Sequence, residues 1–392
     1  MKSPYMAAQG VASLVATFRH DLHQIPEVRW EEEGTLNYIL AMVKKSLMLI
    51  DPNVNRAIIF TMLKGGLVVD ITIDPGKPLR LFRADVDALP IVEQTGHPFA
   101  STNGKMHACG HDMHSAMLLG AFLAICNGNI VPSTNLRFVW QRAEENPLTE
   151  SGGACLVRER VCEGVESVHG LHVDPNYPMG TFLSRPGPML ANSDRLQVKI
   201  TCSGGHVAMP HSGSNAIDIG VRICQALEGF ALRTLGPNEP ISLVPAQFNA
   251  GTASNVRPGS AELWFAVRTF LNPERRAQFH AQLKAQVEGI VNLYPNARCE
   301  VTPINGHPAL SNNAASYEQV AAVLRKGCEV TQVAEPILGG EDFAHYLNKV
   351  PGSFWMLGAH QEGSGDFHTA TFNPSEDALV HGVHYWLLLA TM

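Results

Sequence analysis

The chain has 392 residues, 45% hydrophobic and 17% charged, which is enough for two or three domains with ample core. It carries 29 basic against 36 acidic residues, a formal net charge of −7, and the basic residues do not cluster. This balance argues against nucleic acid or an anionic membrane as partner. No apolar run reaches a membrane span, and the start (Met1, Lys2, Ser3, Pro4) lacks the core of a signal peptide. The cysteines, at 109, 126, 155, 162, 202, 224, 299 and 328, contain no Cys-x-x-Cys pair. In a chain of this size they predict free thiols and a reducing, cytoplasmic compartment.

In chain order, Val11, Leu14, Val15, Phe18 and Leu22 recur at helical spacing and predict a helix over 10–23. A second helix is expected from Glu31 to Ser46. Strand-like runs follow at Ala57–Phe60, Leu67–Ile71 and Leu79–Ala84, and the last runs into Asp85 and Asp87. The densest stretch comes next: His107, Cys109, His111, Asp112 and His114, followed by an apolar helical run over 115–125. Cys109 and His111 flank a single glycine. That spacing suits a tight turn entering a helix, where a thiolate and an imidazole can converge on one metal ion. A buried strand over Leu136–Arg142 ends in Glu144 and Glu145, and another over Val165–His172 ends in His172. Three successive strand ends therefore deliver ligand-type side chains, as open α/β sheets deliver them to a site.

Around Gly180–Pro188 the texture changes, and half-buried alternation begins at Arg195–Cys202. The expected order is strand, helix (Asn215–Leu227), strand (Ile241–Phe248), strand (Ala261–Thr269), helix (Pro273–Leu293), strand (Arg298–Pro303). This α+β pattern marks residues 184–304 as a smaller domain inserted into an α/β domain made of 1–183 and 305–392. The α/β pattern resumes with helices and buried strands over Ala314–Val330, Asp342–Leu347 and Gly352–Gly358, and a last helix over Glu376–Leu389.

The candidate metal ligands are Cys109, His111, Glu144 or Glu145, His172 and, from a polar late loop, His368. A lone histidine or glutamate pair reads as a solvated loop; the density here and the repeated strand-end placement read otherwise. Adjacent carboxylates at a strand end point in different directions. One can bind metal while the other takes a proton from a metal-held water. In the inserted domain, His206 follows Gly204-Gly205 and is suited to stabilise an oxyanion. Asn255 and Arg268 sit at a strand start and a strand end, and Arg268 is suited to clamp a substrate carboxylate.

Several motifs recur in a fixed order: Arg19-His20-Asp21-Leu22-His23, Asp85-Val86-Asp87, His107-Ala108-Cys109-Gly110-His111-Asp112, Glu144-Glu145, Gly170-Leu171-His172, Gly204-Gly205-His206, Asn255-Val256-Arg257-Pro258 and Gly340-Glu341-Asp342-Phe343. In this order the chain resembles the co-catalytic metallohydrolases that include aminoacylases and glutamate-type carboxypeptidases. The likeness is strongest to the amidohydrolase branch, with its hippurate and indole-acetyl-amino-acid hydrolases. The resemblance implies a catalytic domain with a central mixed sheet flanked by helices, and an inserted lid or dimerisation domain. It implies two divalent ions per subunit (Zn, Mn, Co or Ni), with Cys109 bridging them and His111, Glu145, His172 and His368 completing the ligands. It implies Glu144 as general base, Asp85, Asp112 and His114 as supports of the ligands, and His206, Asn255 and Arg268 as substrate and oxyanion groups, His206 acting within its own chain or for a partner copy. The implied reaction is hydrolysis of a small N-acyl-L-amino acid by a metal-bridging hydroxide, in a homo-oligomer joined through the inserted domain. A dipeptidase or carboxypeptidase on the same scaffold is the nearest alternative, and a non-catalytic binding protein a remoter one. Two departures bear on the substrate. Residues 146–151 lengthen the link after the glutamate pair, and His368 is followed by Thr369-Ala370-Thr371 where the family has His-Ser-Pro and an acidic cluster.

Overall fold

The computed structural model describes residues 2–48, 57–146, 150–236 and 238–392. Most of the lengthened link, at 147–149, lies outside the described residues. The chain forms two compact units: one of Met1–Met189, Ser311–Glu335 and Asp342–Met392, the other of Leu190–Leu310 and Pro336–Glu341.

The first unit is built on an eight-stranded mixed sheet, as the α/β pattern predicts. Its strands run, edge to edge, Ala57–Leu63, Gly66–Thr72, Asn135–Gln141, Leu79–Asp85, Val165–Asp174, Gly352–Gly358, Phe182–Ser184 and Val330–Gln332. Asn135–Gln141, Leu79–Asp85, Val165–Asp174 and Gly352–Gly358 are mutually parallel, so their C-terminal ends share one edge of the sheet. These strands are apolar and largely buried, as parallel strands are. The helix His111–Cys126 is buried along its whole length. It is apolar on all sides because other helices cover the faces the sheet does not. Each fully buried leucine, phenylalanine or methionine there contributes about 1.5–3 kcal/mol relative to exposure.

The structure departs from the sequence reading in places. Residues 314–330 are helical only over Ala314–Leu324; the chain leaves the helix before Gly327, and Val330 opens a short strand beside Phe182–Ser184. Within 342–347 only the single turn Ala344–Leu347 is helical. Short helices at Pro4–Gln9 and Gly152–Arg158 carry too few turns for a periodic signal.

The second unit is a four-stranded antiparallel sheet in the order Ser242–Ala250, Ser260–Arg268, Asp194–Thr201, Arg298–Ile304. Helices Ala216–Thr234 and Pro273–Val291 pack on it, and alternating residues of the strands build a second core with Leu196, Val198, Leu263 and Phe265. Each helix has an asparagine N-cap, Asn215 and Asn272, accepting from a backbone N–H of the first turn.

Candidate active site

Asp85 closes the strand Leu79–Asp85, His172 lies near the end of Val165–Asp174, and Glu144 and Glu145 follow Asn135–Gln141. Parallel pairing brings these three ends together. The Cys109 turn enters from above, through Gly110 at φ 88°. That left-handed conformation favours glycine, and a side chain at this position would meet Val173 Cγ2 at 2.4 Å. The late loop reaches the same place because the His368 N–H donates to Ala108 O at 2.9 Å, with His368 itself at φ 60°.

Two groups of donor atoms result, and Cys109 belongs to both. Cys109, His111 and His172 form one, and Cys109, Glu145 and His368 the other, with donor atoms within 4.8 Å of one another in each. Cys109 Sγ lies 3.5 Å from His172 Nε2, and His368 Nε2 lies 2.9 Å from Glu145 Oε1. Glu144 joins a third group with His111 and Glu145.

The hydrogen bonds separate donors from supports among the histidines. His111 Nδ1 donates to Asp87, at 2.9 Å to its carbonyl and 3.1 Å to its carboxylate. His172 Nδ1 donates to Val173 O at 2.7 Å. When neutral, both rings therefore offer Nε2 as a lone pair. His114 is wired in the opposite sense: its Nε2 accepts from Val173 N–H at 2.9 Å and its Nδ1 donates to Asp85 at 2.6 Å. Neither nitrogen is left for an ion. Asp85 is further held by Arg83 Nη1 at 2.6 Å, while Arg83 Nη2 binds Asp342 at 2.6 Å and its Nε binds Gln141 at 3.0 Å. Burial works against ionising Asp85, but His111, Arg83 and His114 hold its carboxyl well below the usual range.

Asp87 was legible only as half of a strand-end carboxylate pair, and the structure gives it a larger part. One oxygen takes the His111 proton and the other accepts the Glu145 backbone N–H at 2.9 Å. It thus orients one member of each donor group. Asp112, expected among the supports of the ligands, contacts none of them directly. It faces away to His23 Nδ1 at 2.9 Å and Arg19 Nε at 3.4 Å, and His23 Nε2 continues to Glu93 at 3.2 Å. The Arg19–His23 motif therefore anchors the start of the buried helix from behind. Glu144 Oε1 accepts from Asp342 N–H at 3.4 Å.

The donor set fits divalent cations. His111 Nε2 is buried without a hydrogen-bond partner. Burial and the carboxylates Glu145, Glu144 and Asp85 push the Cys109 thiol well up, so the surroundings call for positive charge before a thiolate forms. The same surroundings raise His111 to about 10: burial opposes its protonation, but Asp85 and Asp87 outweigh it. Burial, with His114 behind it, lowers His172 well below its ordinary value and keeps it neutral. Thiolate and imidazole beside carboxylate suit a divalent transition metal better than Ca or Mg.

Residues 81–392 match the family described as peptidase family M20/M25/M40. The chain belongs to that family. Thermostable carboxypeptidase 1 of Saccharolobus solfataricus is 32% identical over 383 residues, covering 96% of this chain and 94% of the relative. N-acetyl-L-cysteine deacetylase of Bacillus subtilis is 34% identical over 373 residues, covering 95% and 86%. Among solved structures, the YXEP protein of Bacillus subtilis, described as a dinuclear metal-binding peptidase from the M20 family, superposes with a TM-score of 0.81 at 30% identity over 97% and 98% of the two chains. This member of the M20 family is accordingly a metal-dependent hydrolase of amide bonds, which sets aside the non-catalytic binding protein. Among the described residues no helix is long and apolar enough to cross a membrane.

The remaining candidates belong to the second unit. His206 is exposed, in a two-residue strand paired with Val256–Arg257, and Val207 N–H donates to Asn255 O at 3.4 Å. Its Nδ1 accepts the Ala208 N–H at 3.1 Å, so the neutral ring carries its proton on Nε2 and presents a donor outward. Arg268 closes the strand Ser260–Arg268, and its buried Nη1 has no hydrogen-bond partner among the described residues.

Proposed function

We propose that this enzyme hydrolyses the amide bond of N-acyl-L-amino acids, releasing a carboxylic acid and an amino acid. The observation that carries the reading is the pair of three-donor groups sharing Cys109, which suits two divalent ions about one thiolate. Bound there, such ions supply Lewis acidity and lower the pKa of a water. His111, His172, Glu145 and His368, with Cys109, would hold such ions. Glu144 takes the proton from the attacking water and returns it to the leaving amine. His206 Nε2–H donates to the carbonyl oxygen as it gains charge. Arg268, with Asn255, holds the carboxylate of the amino-acid part. The deacetylase name of the Bacillus subtilis relative supports this substrate class.

A carboxypeptidase reading is supported by the name of the Saccharolobus solfataricus relative. Protein stripped of metal and reloaded separately with Zn, Mn, Co or Ni, then offered N-acetyl and N-benzoyl amino acids beside dipeptides and longer peptides, tests both. Preference for the N-acyl amino acids is expected; faster turnover of the peptides would replace the first reading with the second.

The same reading takes 1–183 and 305–392 as the catalytic domain and 184–304 as a lid that also joins copies of the chain. Support comes from the strand Ser242–Ala250, which lies at the sheet edge with Val244 and Phe248 exposed. Phe248→Glu is expected to shift a sedimenting dimer to monomer, and an unchanged monomer in the unaltered protein would refute it. A cytoplasmic location is supported by eight cysteines that are all free thiols.

A further inference from the structure

We propose that Arg257 is a positioning residue for His206, acting as a clamp on the turn that sets the tautomer and direction of its imidazole. This inference rests on the reading of His206 as the oxyanion donor.

His206 itself is exposed, and its ring is tied by one hydrogen bond, from Ala208 N–H. The proton therefore stays on Nε2 only while the backbone of 206–208 keeps its shape. That backbone has little support of its own. It begins with Gly204 and Gly205 at φ 61° and 135°, and it continues into the single turn Pro210–Ser212, in which no residue is buried. Arg257 supplies what is missing. Its Nη1 donates to Gly213 O at 2.6 Å and Pro210 O at 3.2 Å, and its Nη2 to Met209 O at 2.9 Å and Ser212 Oγ at 3.2 Å. Every one of these acceptors lies in 209–213 and every one is neutral. A guanidinium that is 8% exposed and spends its donors in this way is shaping a loop and not neutralising a carboxylate. Its backbone meanwhile pairs with Gly205 and that of Val256 with His206, so one residue grips both arms of the turn. The grip is close: a side chain at Gly205 would meet Arg257 Nη2 at 2.8 Å. Lysine, a single point donor, cannot reproduce the fork.

Removing the clamp leaves His206 in place but lets its ring and the Ala208 N–H drift. Arg257→Ala is expected to lower kcat roughly 10- to 100-fold, with KM within about twofold, because misplacement by about an ångström costs on that order. Metal content should be unchanged. Arg257 also lines a cavity of about 550 Å³ with His211, Asp218 and Tyr294, so small solutes reach it. Methylguanidinium added to Arg257→Ala should recover part of kcat, and it should recover none in His206→Ala. In the double variant the two losses should not add. Arg257→Lys should fall between, and it serves if the alanine variant does not fold; amide exchange across 205–213 should quicken in either.

A kcat near that of the unaltered protein in Arg257→Ala, beside a large loss in His206→Ala, overturns this inference alone. So do fully additive losses, or a loss confined to KM. Unchanged kcat in His206→Ala overturns the oxyanion reading and this inference with it.

Discussion

The turn at Cys109 and the turn at His206 are held by opposite means. Around Cys109 three of the histidines are fixed by a buried partner: Asp87 for His111, the Val173 carbonyl for His172, Asp85 for His114. Charges are answered within the same lattice, by Arg83 and by the donor groups themselves. At His206 the ring is in solvent and one backbone N–H orients it. On the proposed roles, the difference follows what each turn would handle. Ligands that surround small ions need fixed atoms in a dry place, where an unpaired charge is costly. A donor that meets a substrate has to stay open to it.

The comparison is tested most severely at Cys109. Cys109→Ser is expected to abolish turnover and to lose bound metal together, measured by elemental analysis beside rate; a variant keeping both ions would break the view of a shared thiolate. Glu144→Gln is expected to cost about 10²- to 10⁴-fold in kcat while metal content holds, since it removes a proton carrier. Full turnover would mean that the base lies elsewhere. His206→Ala, from the open turn, should lower kcat about 10²- to 10³-fold at unchanged metal affinity. Asp87→Asn belongs to the closed turn and should weaken metal binding about 10- to 100-fold in competition with a chelator. Should His206→Ala lose metal, or Asp87→Asn keep it, the contrast between the turns would collapse.

The smallest effect concerns stability. His23, 3% exposed, is destabilised as a cation by burial, yet Asp112 and Glu93 raise it to about 9 from the ordinary 6.5. A raised histidine contributes stability that is complete below about 6.5 and is lost as pH climbs through about 9. The expected loss across that window is roughly 3–4 kcal/mol, about 2.5 pKa units at 1.36 kcal/mol per unit. Denaturant midpoints for His23→Gln should fall at pH 6 and lie close to those of the unaltered protein near pH 9.5. A parallel offset at both values would show that His23 contributes packing and not charge.

The donor types were legible because Cys109 and His111 crowd into one turn while Glu145 and His172 lie at strand ends. The mixed sheet and the smaller antiparallel unit were legible from the change of period near residue 190. What stayed hidden depends on neighbours distant in sequence. Asp87 becomes an orienter only when Leu79–Asp85 pairs beside Asn135–Gln141 and brings the Glu145 amide within reach. Asp112 read like its neighbours until the Arg19–His23 helix claimed its carboxylate. Arg257 stood only as part of the Asn255-Val256-Arg257-Pro258 motif; its fork finds acceptors at 209–213 only once the chain has turned at Gly204 and Gly205. The end of the helix at Leu324 was missed although Arg325, Lys326 and Gly327 follow it, because the three-residue strand Val330–Gln332 is too short to announce itself by its period.

The helix His111–Cys126 begins at the donor atoms and is buried along its whole length, ending just before the exposed Asn127 and Gly128. Interiors are close-packed and yield little to added volume. At Gly120, midway along, a methyl group would stand 2.4 Å from Val15 Cγ2, and at Gly382 one would stand 1.9 Å from Met117 Sδ on that helix. A substitution at either position must displace a packed side chain or the rod itself, and the rod's tip is His111. Damage far from the chemistry would therefore present itself as a fault of the catalyst, in a protein still folded and soluble.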